Sequence, residues 1–510
     1  MKKNFMILAV AAVATLLSGC NDWLREDAPG NTKLDDFFTS GQTALQTVNA
    51  AYYPMSWEYN STYYSEWFVG DVASDDAVKG GQNLTDMADA YDIENFKTVA
   101  SNTLLLDYYR AQYQGISRCN FALTYIPNLE IDETMDEATK NRYIGEATFL
   151  RAFYYFRLVR MFGGVPLVTI IIDSSDKWKQ PRATEDEVYD FIIRELEKAE
   201  GMLVEKSKMT AEELGRVTKG AAQALLLKVN LYRGNYAEAK IWGQKVISSG
   251  EYSLNANYMD NFYLTGENGP ESVFEIQYAE DPTSDYGEGN GFTRGTFTVI
   301  LTRSRSTVLC GGNAGWGFNK PSQDLYNEYE EGDPRRDYTI INPTDAEIET
   351  PAQEIYLGSR YMSRKYAMQD ADGNYIALSH ATRAPINHKE IRYSDVLLMT
   401  AEACLESGDA ATAKTYINEV RARVGLNPIA EATREALRHE RRVELAMEGH
   451  RWFDLCRWGI AGETMNAYRS KYINAEGAEM AEFVVGKHEL MPIPSEEIRL
   501  GGLEQNNGYN

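Results

Sequence analysis

A cysteine near the N-terminus is the residue whose surroundings most clearly specify a chemistry. Cys20 ends the stretch Leu17-Ser-Gly-Cys20, which follows two lysines and an apolar run from Phe5 to Leu17 interrupted only by Thr15. At ~1.5 Å per helical residue the run reaches roughly 20 Å, too short for a hydrocarbon core of ~30 Å. The pattern is typical of an export signal and resembles a bacterial lipobox, which predicts cleavage and acylation of Cys20. The alternative is a signal cut elsewhere, with Cys20 an ordinary thiol.

Sequence motifs that would mark catalysis or a metal site are missing. There is no Gly-x-Ser-x-Gly elbow of a serine hydrolase and no Gly-x4-Gly-Lys-Ser/Thr phosphate loop. His439-Glu440 and His488-Glu489 each lack the second histidine of a His-Glu-x-x-His zinc site. A glycosidase needs only two suitably placed carboxylates, and with 75 acidic residues such pairs are inevitable and uninformative. We therefore assign no catalytic residue, no metal ligand and no cofactor.

Two charged stretches could be functional, but the sequence favours a structural role for both. Asp370-Ala-Asp-Gly-Asn374 resembles the start of a calcium loop, yet the acidic residue required six positions after the glycine is Ser379. A hairpin turn is the better interpretation. Between Arg434 and Arg457, opposite charges recur three positions apart, which favours ion-paired helix faces over an active-site cluster. These pairs are Glu435/Arg438, Arg441/Glu444, Glu448/Arg451 and Asp454/Arg457.

Aromatic side chains outside the helical patterns offer a different chemistry. Sugar rings stack their C–H faces on flat aromatic rings, while Asn, Asp, Gln and Arg bond the hydroxyl groups. The rings concerned are Trp57, Tyr59, Tyr63, Tyr64 and Trp67, and, in or beside a glycine-rich stretch, Tyr286, Phe292, Trp316 and Phe318. Most of them are expected to be ordinary core packing. The candidate ligand contacts are Trp57, Trp67, Tyr286, Phe292 and Trp316, together with the amide of Asn83.

The composition limits the possible partners. A hydrophobic content of 44% indicates a folded globular protein, and a formal charge of −24 argues against nucleic acid or anionic lipid as the main partner. Besides Cys20 there are four cysteines without CxxC spacing, so zinc-finger and redox motifs are absent. They are Cys119, Cys310, Cys404 and Cys456. Their disulfide state stays open, although Cys404 is expected to be a small buried apolar residue.

The elements that must position these residues are mostly helical. Apolar side chains recur four and three residues apart from Tyr143 to Met161, and Phe149, Phe153 and Phe156 form a second stripe. This pattern predicts a helix that is buried on most sides and ends at Gly163.

Two later segments share a finer pattern that predicts helix pairs. Gly234 and Gly408 each lie between apolar helical runs, and each is followed five residues later by an alanine, Ala239 and Ala413. The glycine permits a tight turn and the alanine lets two helices approach closely. This spacing resembles the tetratricopeptide repeat.

We therefore expect a mostly α-helical protein with a loop-rich, partly β insertion. Between the two helix pairs glycine and aromatic residues dominate, with short β-like runs such as Val273–Tyr278. The predicted regions are the signal 1–19, an acidic tether 20–36, a helical region 37–254, a loop-rich ligand side 255–387 and a C-terminal helical region 388–510. Residues 37 to 510 are expected to form one compact body.

Motifs in order along nearly the whole chain resemble the SusD/RagB family of surface lipoproteins. They are the lipobox, Ala73-Ser-Asp75-Asp76, the run from Gly145 through Gly163-Gly-Val-Pro166, Gly315-Trp-Gly-Phe, Glu331-Gly-Asp-Pro-Arg-Arg336, Arg392-Tyr-Ser-Asp395, Ala401-Glu-Ala, the run from Glu440 through Gly449-His-Arg-Trp-Phe-Asp-Leu, and Met491-Pro-Ile-Pro494. The order and coverage of these motifs, more than any one of them, carry the resemblance.

The resemblance implies a SusD-like fold with tetratricopeptide-like helix pairs and a role without catalysis. Such proteins are held in outer-membrane lipid by an acylated cysteine and face the cell exterior. They capture an oligosaccharide and pass it to a SusC-like TonB-dependent barrel transporter, and nucleic acid is not a partner.

The resemblance does not carry over the ligand contacts. In the starch-binding member a loop beyond the Ser-Asp-acidic motif contributes an aromatic ring, whereas Lys79-Gly-Gly-Gln-Asn83 has none. This difference argues against starch itself as the ligand. Family members that bind peptides also exist, so a RagB-like, peptide-binding uptake lipoprotein is an alternative. An extracellular glycoside hydrolase and an architectural helical-repeat adaptor are two further alternatives.

Overall fold

Helices dominate the protein, for which a computed structural model describes residues 37–56, 67–175, 177–280, 294–348, 354–380, 383–476 and 481–509. The α-helices in this part are α1 Gly41–Tyr52, α2 Trp67–Gly70, α3 Ala88–Glu94, α4 Thr103–Tyr125, α5 Glu137–Phe162, α6 Glu185–Glu200, α7 Lys219–Tyr232, α8 Tyr236–Ser249, α9 Thr298–Thr302, α10 Gln323–Glu328, α11 Arg335–Thr339, α12 Tyr393–Glu406, α13 Ala410–Arg423, α14 Arg434–Leu445, α15 Arg451–Arg457, α16 Ala461–Tyr468 and α17 Ser495–Gly501. The prediction of a mostly α fold is confirmed.

The long helix α5 is the centre of the first helical region. Asp136 caps it by accepting a hydrogen bond from the backbone N–H of Thr139. From Gly145 onward nearly every side chain is buried, because α4 packs on one side of the helix and α6 on the other. Gly163 ends the helix with φ +69°, a backbone conformation that favours glycine. Both the predicted burial and the predicted end are confirmed.

The two predicted helix pairs are present. Gly234 and Gly408 make the turns with φ of +71° and +81°, and Ala239 and Ala413 are fully buried where the paired helices touch. The pairs α7–α8 and α12–α13 also pack on each other through α8 and α12, although 143 residues separate those two helices in the chain. Helices from before and after the insertion therefore pack against each other in one layer.

The strands are short and pair in twos within the described residues. They are β1 Ala77–Gly80, β2 Ser272–Ile276, β3 Phe318–Pro321, β4 Ile340–Ile341, β5 Met362–Ser363 and β6 His388–Arg392. The antiparallel pairs are β1–β3, β2–β6 and β4–β5. Strand β2 matches the predicted β-like run and joins the insertion to the start of the C-terminal helical region. The boundaries drawn at 254/255 and 387/388 stay predictions.

Smaller features of the sequence have clear structural outcomes. Asp370–Asn374 is a turn closed by an antiparallel bridge between Gln369 and Tyr375, which confirms the hairpin interpretation. The four described cysteines form no disulfide, and Cys404 is fully buried, as predicted. Within the residues that the structure describes, no helix is both long and apolar enough to cross a membrane.

Candidate functional site

The pairing of β1 with β3 brings together two loops that lie far apart in the sequence. Gly80 is the register partner of Phe318, and the N–H of Gly81 donates to the carbonyl oxygen of Gly317 at 2.8 Å. A Cβ atom on Gly80 would lie only 2.2 Å from the same carbonyl oxygen, so the close approach requires glycine. The loop that carries Asn83 thus leaves β1 beside the loop that carries Trp316.

Lys79 holds the first of these loops from beneath. Its ammonium group donates to the backbone carbonyl oxygens of Gly80 at 2.9 Å, Asn83 at 3.1 Å and Asp86. It also lies 5.3 Å and 5.0 Å from the ring centres of Phe318 and Tyr356. A buried cation in this position organises the carbonyl groups of the loop as a bound ion would.

The environment of Lys79 shifts its protonation equilibrium. Burial lowers the pKa of Lys79 to about 8, even though the carboxylates of Glu94 and Asp86 oppose that shift. Phe318 packs beneath the ammonium group and is only 2% exposed. Of the nine aromatic residues considered above, Phe318 is therefore a core residue, as expected for most of them.

Trp316 lies on the second loop, which three backbone hydrogen bonds fix. Its N–H donates to the carbonyl oxygen of Ile300 at 2.8 Å, and Gly315 and Gly317 bond in the same way to Ser304 and Arg303. The indole ring is half-buried and lies 5.9 Å from the ring of Phe297. One part of the ring is thus packed, and the rest is accessible as a flat apolar surface.

Asn83 is exposed, and its side-chain oxygen has a structural task. It accepts hydrogen bonds from the backbone N–H groups of Thr85 and Asp86 and from the hydroxyl group of Thr85. These bonds close a turn at the tip of the loop. Since the oxygen is occupied in this way, the amide nitrogen is the group of Asn83 that is suited to a ligand.

A cleft of about 730 Å³ lies where α1, α4 and the end of β2 meet. Tyr53 in the turn after α1, Arg118 on α4 and Gln277 after β2 are among its lining residues. Ser56 and Arg294 also line it, and they are the described residues next to positions 57 and 293. The N–H of Ala279 donates to the carbonyl oxygen of Arg294 at 2.8 Å.

The charges around the cleft are arranged by specific contacts. The guanidinium group of Arg118 donates to the carbonyl oxygen of Ala50 and lies 5.8 Å from the ring of Tyr53. Burial raises the pKa of Tyr53, while Arg294 and Arg118 oppose that shift, so the phenol remains protonated at neutral pH. Aromatic faces, amides and guanidinium groups thus converge in a form that suits a polyhydroxylated ligand.

The predicted ligand contacts divide into three groups. Trp316 and Asn83 are brought to neighbouring loops by β1 and β3. Trp57, Tyr286 and Phe292 lie outside the described residues, as do Tyr59, Tyr63 and Tyr64. Trp67 begins α2, and its side chain also lies outside the described part. The assignment of these residues to a ligand therefore stays a prediction.

The charged stretch from 434 to 457 is structural, but most of its predicted pairs are wrong. Only Asp454 and Arg457 pair as predicted, at 2.9 Å. Glu444 and Glu448 instead bond to Arg392, at 3.1 Å and 2.7 Å. Arg441 pairs with Asp395 at 2.6 Å and Arg451 with Asp75 at 2.8 Å. Arg441, Glu444 and Glu448 are buried between other elements, so tertiary partners replace their neighbours in the sequence.

Glu448 in this buried network is ionised near neutral pH. Burial alone would raise the pKa of Glu448, but Arg392 and Lys365 lower it to about 2. Arg392 also bonds to Glu271, at 2.6 Å, next to the start of β2. The network thus ties the insertion to the C-terminal helices and supports the loops from behind.

Sequence reasoning missed Lys79, Arg118 and Tyr53. The motif Ala73-Ser-Asp75-Asp76 stands next to Lys79, but it gives no sign that the lysine reaches three carbonyl groups of its own loop. Arg118 lies within α4 with the spacing of an ordinary surface position. The role of Arg118 depends on a contact with Ala50, 68 positions earlier in the chain. The role of Lys79 depends on the geometry of its own loop.

Comparisons with known proteins agree with this architecture. Residues 270–509 match the SusD family, and residues 22–231 match a family described as "Starch-binding associating with outer membrane". A SusD-like protein of Bacteroides ovatus is 26% identical over 473 residues, which are 89% of this chain and 82% of that protein.

Two solved structures are also similar. A laminarin-binding SusD-like protein has a TM-score of 0.80 and 30% identity, with 92% of this chain and 100% of that chain covered. Surface glycan-binding protein A from Bacteroides thetaiotaomicron, solved with laminarihexaose, has a TM-score of 0.77 and 27% identity with the same coverage. These matches extend over both helical regions and the insertion between them. The chain therefore belongs to the SusD family.

Proposed function

We propose that this protein binds oligosaccharides at the outer surface of a bacterial outer membrane and passes them to a SusC-like TonB-dependent transporter, without catalysis. The observation that carries the proposal is the β1–β3 pairing, which sets the Asn83 loop beside the Trp316 loop. The names of similar solved proteins, which state binding of laminarin and of glycans, support a sugar as the ligand class.

The chemistry of this face supports sugar capture. The accessible part of Trp316 offers a flat surface on which the C–H face of a sugar ring can stack. The amide nitrogen of Asn83 and the polar lining of the Tyr53 cleft offer hydrogen-bond donors for hydroxyl groups. Aromatic faces together with hydrogen-bond donors favour a polyhydroxylated chain.

The lipobox supports the location. Acyl chains on Cys20 would each bury several CH₂ groups at ~0.8 kcal/mol apiece, so more than one chain gives stable anchoring. Residues 20–36 would then act as a tether between the membrane and the folded body. A Cys20→Ala protein is expected to stay folded and to bind glycan but to leave the membrane fraction. Its retention there in cells without the transporter would contradict the anchor.

The carboxylates of the 434–457 stretch have a structural and not a catalytic arrangement. A glycosidase needs a carboxylic acid with a raised pKa beside a second carboxylate in an open site. In the 434–457 stretch the carboxylates instead form buried ion pairs with arginines. Incubation with the polysaccharide that binds best is expected to produce no new reducing ends, and turnover would overturn this part of the proposal.

Affinity gel electrophoresis against a broad panel of polysaccharides tests the binding claim. We expect retardation by at least one glycan and a loss of affinity of roughly tenfold or more in Trp316→Ala, since buried aromatic anchors dominate binding. Tyr416→Ala, which truncates a half-buried ring on α13, is the matched control and should bind normally. Binding of peptides but no glycan would instead favour the RagB-like alternative.

A further inference from the structure

A second groove has no lining residue in the β1–β3 loops. It lies between α4, the segment that follows α5, and α17, and it shares no lining residue with the Tyr53 cleft. Its volume is about 410 Å³, and a further cavity of about 700 Å³ continues it past Gln180, Gly501 and Leu503. Together the two cavities give room for a chain of several units.

Aromatic rings form much of its surface. Tyr113 on α4 lines the groove and is half-buried, while the ring of Tyr109, whose centre lies 4.9 Å away, is only 3% exposed and packs against it. Trp178 lines it from the opposite segment and is 50% exposed, a large fraction for an indole side chain. Ile170 and Ile172 beside it are 45% and 42% exposed. Such a group of accessible apolar side chains is typical of a binding surface.

The groove is preformed, because hydrogen bonds fix the segment that carries these residues. The hydroxyl group of Tyr113 donates to the carbonyl oxygen of Pro166 at 2.7 Å. The amide of Asn120 donates to the carbonyl oxygens of Val168 and Ile170 at 2.9 Å and 3.1 Å. Binding of a ligand in the groove therefore costs little free energy for ordering the backbone.

The charges at the groove are compensated. Arg110 pairs with Glu496 at 3.1 Å and with Glu497 at 2.9 Å, and the side chains of Gln114, Ser117 and Gln180 supply the uncharged polar groups. A lining of aromatic faces and amides in which the arginine is neutralised suits a neutral ligand with many hydroxyl groups. The 410 Å³ part of the groove does not favour a polyanion, which needs unpaired basic residues, because Lys179 lines only the continuing cavity and lies 5.7 Å from the ring of Trp178.

We propose that this groove is a second carbohydrate-binding site, which takes a segment of a neutral oligosaccharide chain. Sugar rings stack on Trp178 and on the half-buried ring of Tyr113, and the amides bond the hydroxyl groups. A polysaccharide held here and at the Trp316 loop gains affinity from two contacts at once. The ligand class, but not the location, is shared with the function proposed above.

The test separates the two sites with single and double variants. Glycans of the panel that retard the wild type, and laminarihexaose as a defined neutral probe, are measured by affinity gel and isothermal titration. We expect Trp178→Ala to weaken binding of neutral polysaccharide roughly tenfold. The binding that remains in Trp316→Ala should disappear in the double variant. Ser117→Arg, which places a long charged side chain in the groove, should act like Trp178→Ala.

Controls distinguish a loss of sugar binding from misfolding and from the binding of a lipid surface. Ile241→Ala removes an equally exposed apolar side chain from α8 and should change nothing. Trp178 is half-exposed on a loop, so its replacement should leave the melting temperature within about 2 °C of the wild type. Co-sedimentation with phosphatidylcholine and phosphatidylglycerol vesicles tests a lipid surface, which the same exposed side chains could also contact.

The possible outcomes are distinct. If Trp178→Ala and Ser117→Arg bind every neutral polysaccharide as the wild type does, the second site is overturned while the proposed function stands. Vesicle binding that depends on Trp178 without any effect on sugar binding also overturns it. If sugar binding depends on Trp178 alone and not on Trp316, the groove is upheld and the β1–β3 face loses its assignment.

Discussion

The ammonium group of Lys79 lies 3.1 Å from the backbone carbonyl oxygen of Asn83, and it bonds to two further carbonyl groups of the same loop. The lysine is buried, so these bonds are shielded from water. One side chain therefore determines the shape of the loop that carries Asn83. The pairing of β1 with β3 sets the start of that loop beside the loop that carries Trp316.

Lys79→Met is expected to loosen this loop. The substitution keeps the length and apolar stem of the side chain but leaves three carbonyl groups without their donor, at a cost of about 2–4 kcal/mol. Hydrogen exchange of the amides from Gln82 to Asp86 should become faster, and glycan affinity should fall together with that protection. Lys414→Met, at an exposed lysine that bonds to a single carbonyl group, is the control. Unchanged exchange in the Lys79 variant would contradict the role given to this residue.

The buried ion-pair network is expected to respond strongly to loss of one member. Arg392→Met leaves the carboxylates of Glu271, Glu444 and Glu448 with one guanidinium group fewer in a buried site, which should lower the free energy of unfolding by about 3–5 kcal/mol. Urea denaturation monitored by tryptophan fluorescence measures this change.

An exposed ion pair provides the matched comparison for Arg392. Arg434 bonds to Glu406 on the surface, with 61% of its side chain exposed. Water and salt screen such a pair, so Arg434→Met should give an unfolding midpoint that cannot be distinguished from that of the wild type. Similar effects of the two substitutions would mean that the buried network contributes no more than an ordinary surface contact.

The sequence predicts those parts of the fold that depend on local patterns. The helix around Phe149 and Phe153 and the turns at Gly234 and Gly408 are encoded within windows of about 20 residues, where apolar periodicity and glycine position suffice. The predictions of these elements are confirmed. The hairpin at Asp372-Gly373 is confirmed for the same reason.

The features that the sequence does not reveal depend on distant contacts. Asp75 pairs with Arg451, 376 residues later, and β1 pairs with a strand about 240 residues away. Spacing of charges along a helix cannot identify such partners, so Glu448 was assigned to Arg451 although it bonds to Arg392. The position of the Asn83 loop against the Trp316 loop has the same origin, because only the folded chain brings the two together.

His439 is expected to make stability depend on pH near neutrality. Its ring nitrogens lie 2.7 Å from a carboxylate oxygen of Glu328 and 3.3 Å from one of Glu330. Burial alone would lower the pKa of His439, but these carboxylates and that of Glu440 raise it above 6.5. The resulting stabilisation is fully present below pH 6.5 and is lost as pH rises through the higher pKa of the folded state.

His439→Gln should remove this dependence. The difference in unfolding free energy between wild type and variant, measured by urea denaturation, should be largest near pH 6 and should shrink by up to about 1 kcal/mol by pH 8. Other groups that titrate in this range are common to both proteins and cancel in the difference. A difference that stays constant or grows with pH would contradict the ion pairs of His439.

Gly243 is expected to be essential where the two tetratricopeptide-like helix pairs meet. A Cβ atom at this position of α8 would lie 2.0 Å from the hydroxyl oxygen of Thr400 on α12. That hydroxyl group donates to the carbonyl oxygen of Val396 and is fully buried, so it cannot easily move aside. Gly243→Ala should therefore lower the free energy of unfolding by about 1–3 kcal/mol through overpacking, although alanine is the better helix former.

A glycine-to-alanine substitution at Gly201 should instead raise the free energy of unfolding. Gly201 at the end of α6 has φ −71°, and a Cβ atom there would meet only a carbonyl oxygen at 3.7 Å. Gly201→Ala should stabilise the protein by about 0.4–1 kcal/mol, because it restricts the unfolded chain. Adding Thr400→Ala to Gly243→Ala should recover part of the loss, which a double-mutant cycle measures. If the two substitutions prove additive, Gly243 and Thr400 do not set the distance between α8 and α12, and the close packing of the helix pairs must depend on other residues.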